Sequence, residues 1–439
     1  MLTRRSLLHS LAASGLLARL QPAARAAGPD YKALVCVFLF GGNDSNNVIV
    51  PLGAEQYREY TRARGGLALP QASLLPVAAS GGAAYGFHPR LGDLQQLFTR
   101  KKLAVVANVG MLTRPTSRDE YRQRSKPLPV NLFSHSDQQT QWQCSYPDTS
   151  SRTGWGGRAG DLAQSYNTDR GFTNISLSGN TIFLEGQEAR ATLVTVGGVT
   201  GLSGFNDTAP SQARMRGVLD LFNINEGSAL VQVLNDATLE GLRITQTLSA
   251  ATTGTSSLST RFPATSLGRQ LESVARIIKM RGELGVNRQI FFCSLGGFDT
   301  HINQLTTHET LLGQLGPALA AFHASTLELG VEQQVTAFTE SEFSRTLQQS
   351  SGAGSDHGWG SHHIVVGGAV AGGDMYGQFP TVAMGGPDDA TGRGVWVPTT
   401  SVDQYAATFA SWFGMDQAAL AGIFPNLANF PRPKLAFLG

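Results

Sequence analysis

Several apolar runs in this chain stop at a polar connection rich in glycine, and this pattern constrains the fold more than any other feature. The clearest runs cover residues 33–40, 289–294 and 335–338. Short, uninterrupted apolar runs are typical of strands that are buried on both faces of a parallel sheet. Residues 89–101 have helical spacing and residues 103–109 return as a strand, which predicts right-handed strand–helix–strand crossovers. We therefore expect an α/β fold with a mostly parallel sheet.

The connections after these runs carry acidic and imidazole side chains. Ligand-binding groups collect at the carboxyl ends of strands in open α/β sheets, and carboxylates together with imidazoles suit a divalent metal. A local alternative remains, in which the acids form ordinary turns and His362 and His363 are the solvated start of a strand. By position, the candidate metal ligands are Asp44, Asp299, His301, Asp356, His357, His362 and His363.

A pair of serines lies where a further connection is expected to enter a helix. Ser134 and Ser136 belong to the stretch NLFSHSD, which leads into QQTQWQ. A serine at a helix N-terminus has backbone N–H groups and the positive end of the helix dipole beside its oxygen. That position suits a nucleophile that attacks an anionic ester. The alternative is an ordinary helix cap, which is a common role for serine.

The start of the chain resembles an export signal. Arg4 and Arg5 precede an apolar stretch that extends to about residue 20, and residues 24–26 form a small-residue cleavage pattern. These features predict a twin-arginine signal peptide at residues 1–26 and a periplasmic or secreted protein; an amphipathic N-terminal helix is the alternative. The twin-arginine route exports folded proteins, so a metal could be loaded before export.

The net positive formal charge of the chain comes from this predicted signal peptide. Removal of residues 1–26 takes away four arginines and changes the formal charge of +2 to about −2. No basic tract remains that would favour nucleic acid or anionic lipid as a partner. No later apolar run reaches the roughly 18 residues that a membrane span requires.

We expect residues 27–439 to form a single α/β domain, within which residues 154–265 form an insertion that covers one side of the sheet. The insertion has short apolar runs, helical stretches at 212–222 and 229–248, and a small-residue linker at 250–260. It is the expected place for substrate selection. The three cysteines predict no disulfide framework: Cys36 and Cys293 lie in apolar runs, while Cys144 could be exposed.

Five motifs in order resemble one known family. The segments GGNDSNNVIVP, FSHSDQQ, GGFDTHINQ, TESEFSRT and SDHGWGSHH are similar to an exported bacterial family, the domain of unknown function numbered fifteen hundred and one. That family is placed with the alkaline phosphatase and sulfatase superfamily. The resemblance spans about residues 31–425. It implies a doubly wound sheet with helices on both faces and a centre of one or two divalent ions, zinc foremost, with magnesium, manganese or calcium as alternatives.

The resemblance assigns roles to positions in this sequence. Ser134 matches the nucleophile position, with Ser136 as the alternative, and the candidate acids and histidines match the ligands of the metal centre. Arg345 could hold an oxygen of the substrate, although a structural pairing with Glu342 is the alternative. Two spacings depart from the superfamily pattern: His301 follows Asp299 by two residues instead of four, and the Asp356–His357 pair comes well after its strand.

The implied function is an exported, metal-dependent hydrolase of phosphate or sulfate esters, which acts on a small anionic substrate through a covalent serine intermediate. Two other classes stay open. One is a metal-binding envelope protein that is catalytically silent and serves the export or assembly of a partner. The other is a phosphotransferase or mutase.

Export can be tested with the signal alone. Replacement of both Arg4 and Arg5 by lysine should leave the precursor in the cytoplasm, because the twin-arginine machinery recognises the arginine pair. Cell fractionation and N-terminal sequencing measure the outcome. Normal processing of the double variant to a chain that starts near Ala27 would contradict the assignment.

Overall fold

The computed structural model of the protein describes residues 30–195, 208–224, 227–254 and 257–438. The predicted signal peptide lies outside these residues. The strands are β1 Lys32–Phe40, β2 Ile49–Pro51, β3 Leu75–Ala78, β4 Ala84–Phe87, β5 Leu103–Gly110, β6 Asn174–Ser176, β7 Thr192–Leu193, β8 Arg288–Gly296, β9 Val335–Glu340, β10 Arg345–Gln349, β11 Ser355–His357, β12 Ser361–Gly367, β13 Met375–Tyr376 and β14 Thr400–Ser401.

The helices alternate with these strands for much of the chain. They are α1 Ser45–Val48, α2 Ala54–Arg64, α3 Gly92–Thr99, α4 Arg118–Gln123, α5 His135–Cys144, α6 Trp155–Ala163, α7 Ala209–Phe222, α8 Ala229–Gly254, α9 Ser266–Lys279, α10 Gln304–Glu328, α11 Val402–Phe413 and α12 Gln417–Ile423. Short 3₁₀ helices lie at Gly65–Leu67, Gln71–Ser73, Pro89–Leu91, Gln164–Tyr166, Arg170–Phe172, Ile182–Leu184 and Leu427–Asn429.

A central sheet organises the chain. Its strand order is β13-β5-β12-β9-β1-β8-β6-β7, and β14 pairs with β5 beside β13. Strand β1 is parallel to both β8 and β9, and β12 is antiparallel to both of its neighbours, β5 and β9. All the other pairings in this sheet are parallel. The predicted mostly parallel sheet is therefore confirmed.

Each face of the sheet is covered by helices, as the side chains of β1 show. Val35 and Val37 point into one apolar core, to which α3, α9 and α10 contribute. Cys36 and Phe38 point into a second core, to which α5, α6, α11 and α12 contribute. Successive side chains of a strand point to opposite faces, so the two cores lie on opposite sides of the sheet. The doubly wound α/β class is confirmed.

Three observations add detail to the sequence-based expectations. Cys144, the last residue of α5, is a free and buried thiol, whereas the sequence allowed it to be exposed. Helix α8 continues to Gly254, so the first part of the expected linker at 250–260 is helical. Residues of the expected insertion also join the sheet, since β6 pairs with β8 and β7 pairs with β6.

Within the described residues, no helix is both long enough and apolar enough to span a membrane.

The candidate site residues are positioned by one edge of this sheet. Strands β1, β5, β8 and β9 run in the same direction, so their carboxyl ends meet at one edge. The antiparallel strand β12 begins at that edge, where Ser361 lies opposite Val109. The connections that follow β1, β5, β8 and β9 therefore converge with the residues that precede β12.

Candidate metal centre

Gly41 allows the ends of β1 and β8 to approach each other closely. Its φ is +115°, and a Cβ atom built there would lie 2.3 Å from the backbone nitrogen of Asp299. Any side chain would therefore collide with the connection after β8 and would also be strained at this φ. The amide of Phe298 donates a hydrogen bond to the carbonyl of Phe40 at 3.1 Å. The glycine after β1 thus holds Asp299 at the shared edge.

Three side chains from separate connections surround one point. His135, Asp299 and His357 each present one ligand atom, and these atoms all lie within 4.8 Å of one another. Asp299 Oδ1 lies 3.4 Å from His135 Nε2 and 3.7 Å from His357 Nε2. The side chain of Asp299 is 50% exposed, so the group can be reached from solvent.

His301 lies beside this group. Its Nε2 atom is 3.0 Å from Asp299 Oδ1 and 3.1 Å from His357 Nε2. Of the predicted metal ligands, the structure therefore brings together Asp299, His301 and His357. It adds His135, which lies between the two candidate serines.

The hydrogen bonds of the imidazoles fix where their lone pairs point. His135 Nδ1 donates to the Glu342 carboxylate at 2.8 Å, and His357 Nδ1 donates to the carbonyl of Phe133 at 2.7 Å. In a neutral imidazole the other nitrogen is then an acceptor, so both Nε2 atoms present lone pairs toward Asp299. Among the residues that the structure describes, the buried His135 Nε2 atom has no hydrogen-bond partner. Facing acceptors repel one another unless a cation lies between them.

The same assignment extends to His301. Arg345 Nη1 donates to His301 Nε2 at 3.4 Å, so this nitrogen is also an acceptor, and its Nδ1 faces Asp356 Oδ1 at 3.4 Å. Within the described residues, Asp299 Oδ1 therefore faces three imidazole nitrogens that act as acceptors, besides the donor Arg345. This surplus of acceptors is the chemical signature of a cation site.

The spacing of the donors fits zinc. Ligands about 2.0–2.1 Å from a tetrahedral zinc ion lie about 3.3 Å from one another. The separations of 3.4 and 3.7 Å from Asp299 Oδ1 to the two imidazoles are close to that value. Imidazole nitrogen suits zinc, whereas magnesium and calcium select oxygen ligands. The residues present therefore fit one zinc ion.

The surroundings shift the pKa values of the three candidate ligands. Burial raises the pKa of Asp299, but the hydrogen bond and charge of Arg345, with His135 and His301, more than offset this, so its pKa lies below the usual range. Burial holds the pKa of His357 below its ordinary value. The hydrogen bond to Glu342 raises the pKa of His135, so a metal ion there would compete with a proton and release it on binding.

Arg345 ties the surrounding connections together. Its buried guanidinium donates to the carbonyls of Gly41, Gly42 and Ser355 and to the Asp299 carboxylate. With the contact to His301, all five N–H groups have partners. Glu342 instead bonds to His135, Gln139 and the amide of Gly41. The alternative pairing of Arg345 with Glu342 is therefore wrong, and Arg345 would have to release His301 to bind a substrate oxygen.

Asp356 contacts the group through His301. Its Oδ1 atom orients His301, and its Oδ2 atom accepts a hydrogen bond from Arg393 at 2.6 Å. Carboxylates that hold ligand imidazoles in this way fix the ring and its tautomer. The structure thus places Asp356 behind His301, and its role as a direct ligand stays a prediction.

Asp44 is not part of this group and has a cationic partner of its own. Its carboxylate forms an ion pair with Arg64, and both side chains are fully buried. Gln304 and Asn46 also donate to it. Arg64 extends from the last turn of α2, and its Nη1 atom donates to the carbonyls of Thr346 and Leu347. A cation is therefore already present at Asp44, in the form of a guanidinium.

His362 and His363 are apart from the group, in the buried start of β12. The backbone amide of Asn108 donates to His362 Nδ1 at 3.0 Å, and the ring stacks on Phe379. His363 points to the other face, beside Trp142 and Tyr405. Burial lowers the pKa of each histidine to about 3. They are neutral core imidazoles here, so the alternative of a solvated strand start is wrong.

Ser134 occupies the N-cap position of α5, and its hydroxyl makes no cap hydrogen bond. The hydroxyl lies 3.3 Å from that of Ser136. The preceding residue, Phe133, has a φ of +74°, which is strained for a side chain of this size. That conformation turns the Phe133 carbonyl toward His357. Ser134 therefore lies between two residues that contact the candidate centre, with its hydroxyl free of a capping role.

Sequence reasoning assigned no site role to three residues that matter here: His135, Arg64 and Arg393. His135 is in the motif FSHSDQQ, where the serines drew attention, although an imidazole beside a candidate nucleophile was a usable signal. Arg64 and Arg393 lie far along the chain from their acidic partners, and no local pattern indicates those pairings.

Comparison with known proteins supports a family assignment. The family model described as "Protein of unknown function (DUF1501)" matches residues 31–421. No curated protein sequence matches this chain.

Among solved structures, similar chains include a sulfatase from Pseudoalteromonas sp., with 9% identity and a TM-score of 0.33 over 93% of this chain and 76% of that one. The phosphonate monoester hydrolase of Agrobacterium radiobacter has 9% identity and a TM-score of 0.32 over 88% and 74%. A mutant of the alkaline phosphatase PafA has 12% identity and a TM-score of 0.29 over 74% and 65%. Identity and TM-score are low throughout, and the fold class stated above depends on the sheet of this chain.

Two substitutions separate the ion pair from the metal site. His357→Ala should reduce bound zinc from about one ion per chain to a small fraction, because it removes one of three ligands. Asp44→Asn should retain zinc and lower the free energy of unfolding by about 3–5 kcal/mol, because it leaves Arg64 buried without its partner. Elemental analysis and denaturant unfolding measure the two effects.

The double variant Asp44→Asn/Arg64→Met is the control for this comparison. It should recover part of the stability that Asp44→Asn loses, since neither buried charge remains. A loss of zinc in Asp44→Asn as large as that in His357→Ala would show that Asp44 is a ligand, as the sequence suggested.

Proposed function

This chain belongs to the DUF1501 family of proteins of unknown function, and from its site we propose that it hydrolyses phosphate or sulfate esters with one divalent ion held by His135, Asp299 and His357. The observation that carries the proposal is the convergence of two imidazole lone pairs on Asp299 Oδ1 at 3.4 and 3.7 Å. Zinc is the first choice for the ion, because two of the three ligands are nitrogen.

The residues around the ion have separable tasks. When bound, the ion would supply a Lewis acid that polarises the ester and lowers the pKa of a nearby hydroxyl. Glu342 and the Phe133 carbonyl hold His135 and His357 in the ligand tautomer. Asp356 orients His301 from the side away from the centre. These supports keep the ligand geometry fixed before substrate arrives.

Ser134 is the proposed nucleophile. Its hydroxyl oxygen would bond to phosphorus or sulfur while the bond to the alcohol oxygen breaks, and water would then hydrolyse the covalent serine ester. The hydroxyl proton would pass to solvent water, the departing alkoxide would take up a proton from water, and hydrolysis of the serine ester would release phosphate or sulfate and restore the hydroxyl. The first-turn N–H groups of α5 have no intrahelical partners, and the Ser134 side chain does not take one. They favour the anionic group under attack.

We propose one ion where the resemblance allows two. The position that would hold a second ion includes Asp44, whose carboxylate is neutralised by the fully buried Arg64. A second divalent ion at that carboxylate would meet the Arg64 guanidinium at close range in a medium of low dielectric. The guanidinium of Arg64 takes the place that a second metal would have.

A second candidate function follows from Arg345. Its five N–H groups all have protein partners, which leaves no free donor of that arginine for a substrate oxygen. This observation favours a metal-binding envelope protein that is catalytically silent. We also propose export through the twin-arginine route to the periplasm or beyond, with the ion bound before transport.

Ser134→Ala decides between the two candidates. As a nucleophile, Ser134 is required for turnover, so the change should reduce hydrolysis of phosphate and sulfate esters at least about 100-fold. Because its hydroxyl makes no cap bond, stability and zinc content should stay close to wild type. Ester hydrolysis, thermal unfolding and elemental analysis are measured together on the zinc-loaded protein.

Ser136→Ala is the matched control, since its hydroxyl lies 3.3 Å from that of Ser134 on the same turn. It should retain most of the activity. Wild-type turnover in both single variants and in the double variant would rule out a serine intermediate. A zinc-loaded wild type without turnover on either ester class would instead support the silent protein.

A further inference from the structure

A cleft of about 700 Å³ opens in the connection between β5 and α5. Nothing described above assigns it a ligand. Its lining residues are Tyr121, Arg122, Arg124, Lys126, Leu128, Pro129, Asn131, Leu132 and Phe133. Three of these are basic and none is acidic, so the cleft favours an anionic occupant.

The basic residues are not equivalent. Arg122 donates to the carbonyls of Asp389 and Ala390, and Lys126 pairs with Glu120 at 2.5 Å. These two side chains are tied to the protein and supply charge to the walls. Arg124 is exposed, and within the described part of the chain no hydrogen bond or ion pair engages its guanidinium. It is the cation that is available to a ligand.

Four of the lining residues, which we call the floor of the cleft, have apolar or aromatic side chains. Tyr121, Leu128, Leu132 and Phe133 pack against a small buried cluster that includes Trp359, and the rings of Tyr121 and Trp359 lie 5.4 Å apart. An apolar floor with basic walls suits a carbon skeleton that carries an anionic group. Inorganic phosphate alone would leave the floor without a partner.

The cleft and the candidate centre are connected through Phe133. Phe133 lines the cleft, accepts the hydrogen bond of His357 and precedes Ser134 in the chain. On the other side, Arg122 holds the carbonyls of Asp389 and Ala390, and the same loop supplies Arg393, which bonds to Asp356. The cleft lining therefore reaches the residue that directly precedes Ser134.

We infer that the cleft binds the alcohol part of the substrate and that this part carries a second anionic group, which Arg124 contacts. The preferred substrates are then polyanionic esters rather than simple monoesters. This inference rests on the proposed function, because it assumes an ester whose reacting group lies at Ser134. It adds the substrate class, which the centre alone does not define.

Matched esters test the second anion. Wild type should prefer 4-carboxyphenyl phosphate over phenyl phosphate by about tenfold in kcat/KM, the effect of one charge-assisted contact. Arg124→Gln should abolish this preference and leave the rate on phenyl phosphate unchanged. The control is Arg58→Ala, an exposed arginine on α2, which should keep the preference. No preference in wild type, or one that persists in Arg124→Gln, would overturn the inference.

A binding measurement keeps this test separate from catalysis. Sucrose octasulfate titrated calorimetrically into zinc-loaded wild type should bind with strong salt dependence, and Arg124→Gln should weaken binding about tenfold while Arg58→Ala does not. That result supports the cleft even if no ester is hydrolysed, in which case only the proposed reaction fails. Equal affinity in all three proteins, or no binding, overturns the cleft assignment whatever the activity.

Discussion

The buried guanidinium of Arg345 is the interaction on which the arrangement of the site depends. It binds the carbonyls of Gly41 and Gly42 after β1, the carboxylate of Asp299 after β8 and the carbonyl of Ser355 in β11. Loops at the end of a sheet are otherwise free to vary in conformation. The planar guanidinium with its five fixed donors binds three of these segments at once and so fixes their positions relative to one another. Together with the close approach that Gly41 allows, this hydrogen bond holds Asp299 where it faces His135 and His357.

The site has two parts that differ in burial, which we call the lower level and the upper level: the buried pair of Asp44 and Arg64, and the accessible group around Asp299. At the lower level, Arg64 neutralises Asp44 in a region that water does not reach. At the upper level, imidazole nitrogens and the half-exposed Asp299 face one another around a point open to solvent. A buried carboxylate needs a permanent partner, whereas an accessible acceptor group can exchange a proton for a metal ion. The proposal of one exchangeable ion follows from this division.

The sequence predicted the fold well because apolar runs such as residues 33–40 report burial on both faces directly. It also predicted that Asp299, His301 and His357 would gather, since parallel strands end at one edge. Ion pairs that depend on tertiary contacts could not be predicted from local sequence patterns. Arg64, for example, pairs with Asp44 from the end of a helix 20 residues further along the chain. His362 and His363 looked like ligands beside an Asp–His pair, but the two-residue period of β12 directs them into opposite cores.

We propose that a metal ion lies between His135, Asp299 and His357. Anomalous diffraction from crystals of the zinc-loaded protein, measured on both sides of the zinc absorption edge, locates such an ion. We expect one strong peak per chain, about 2.0–2.1 Å from His135 Nε2, His357 Nε2 and a carboxylate oxygen of Asp299. A peak at Asp44, or no peak at this position in protein that retains zinc, would contradict it.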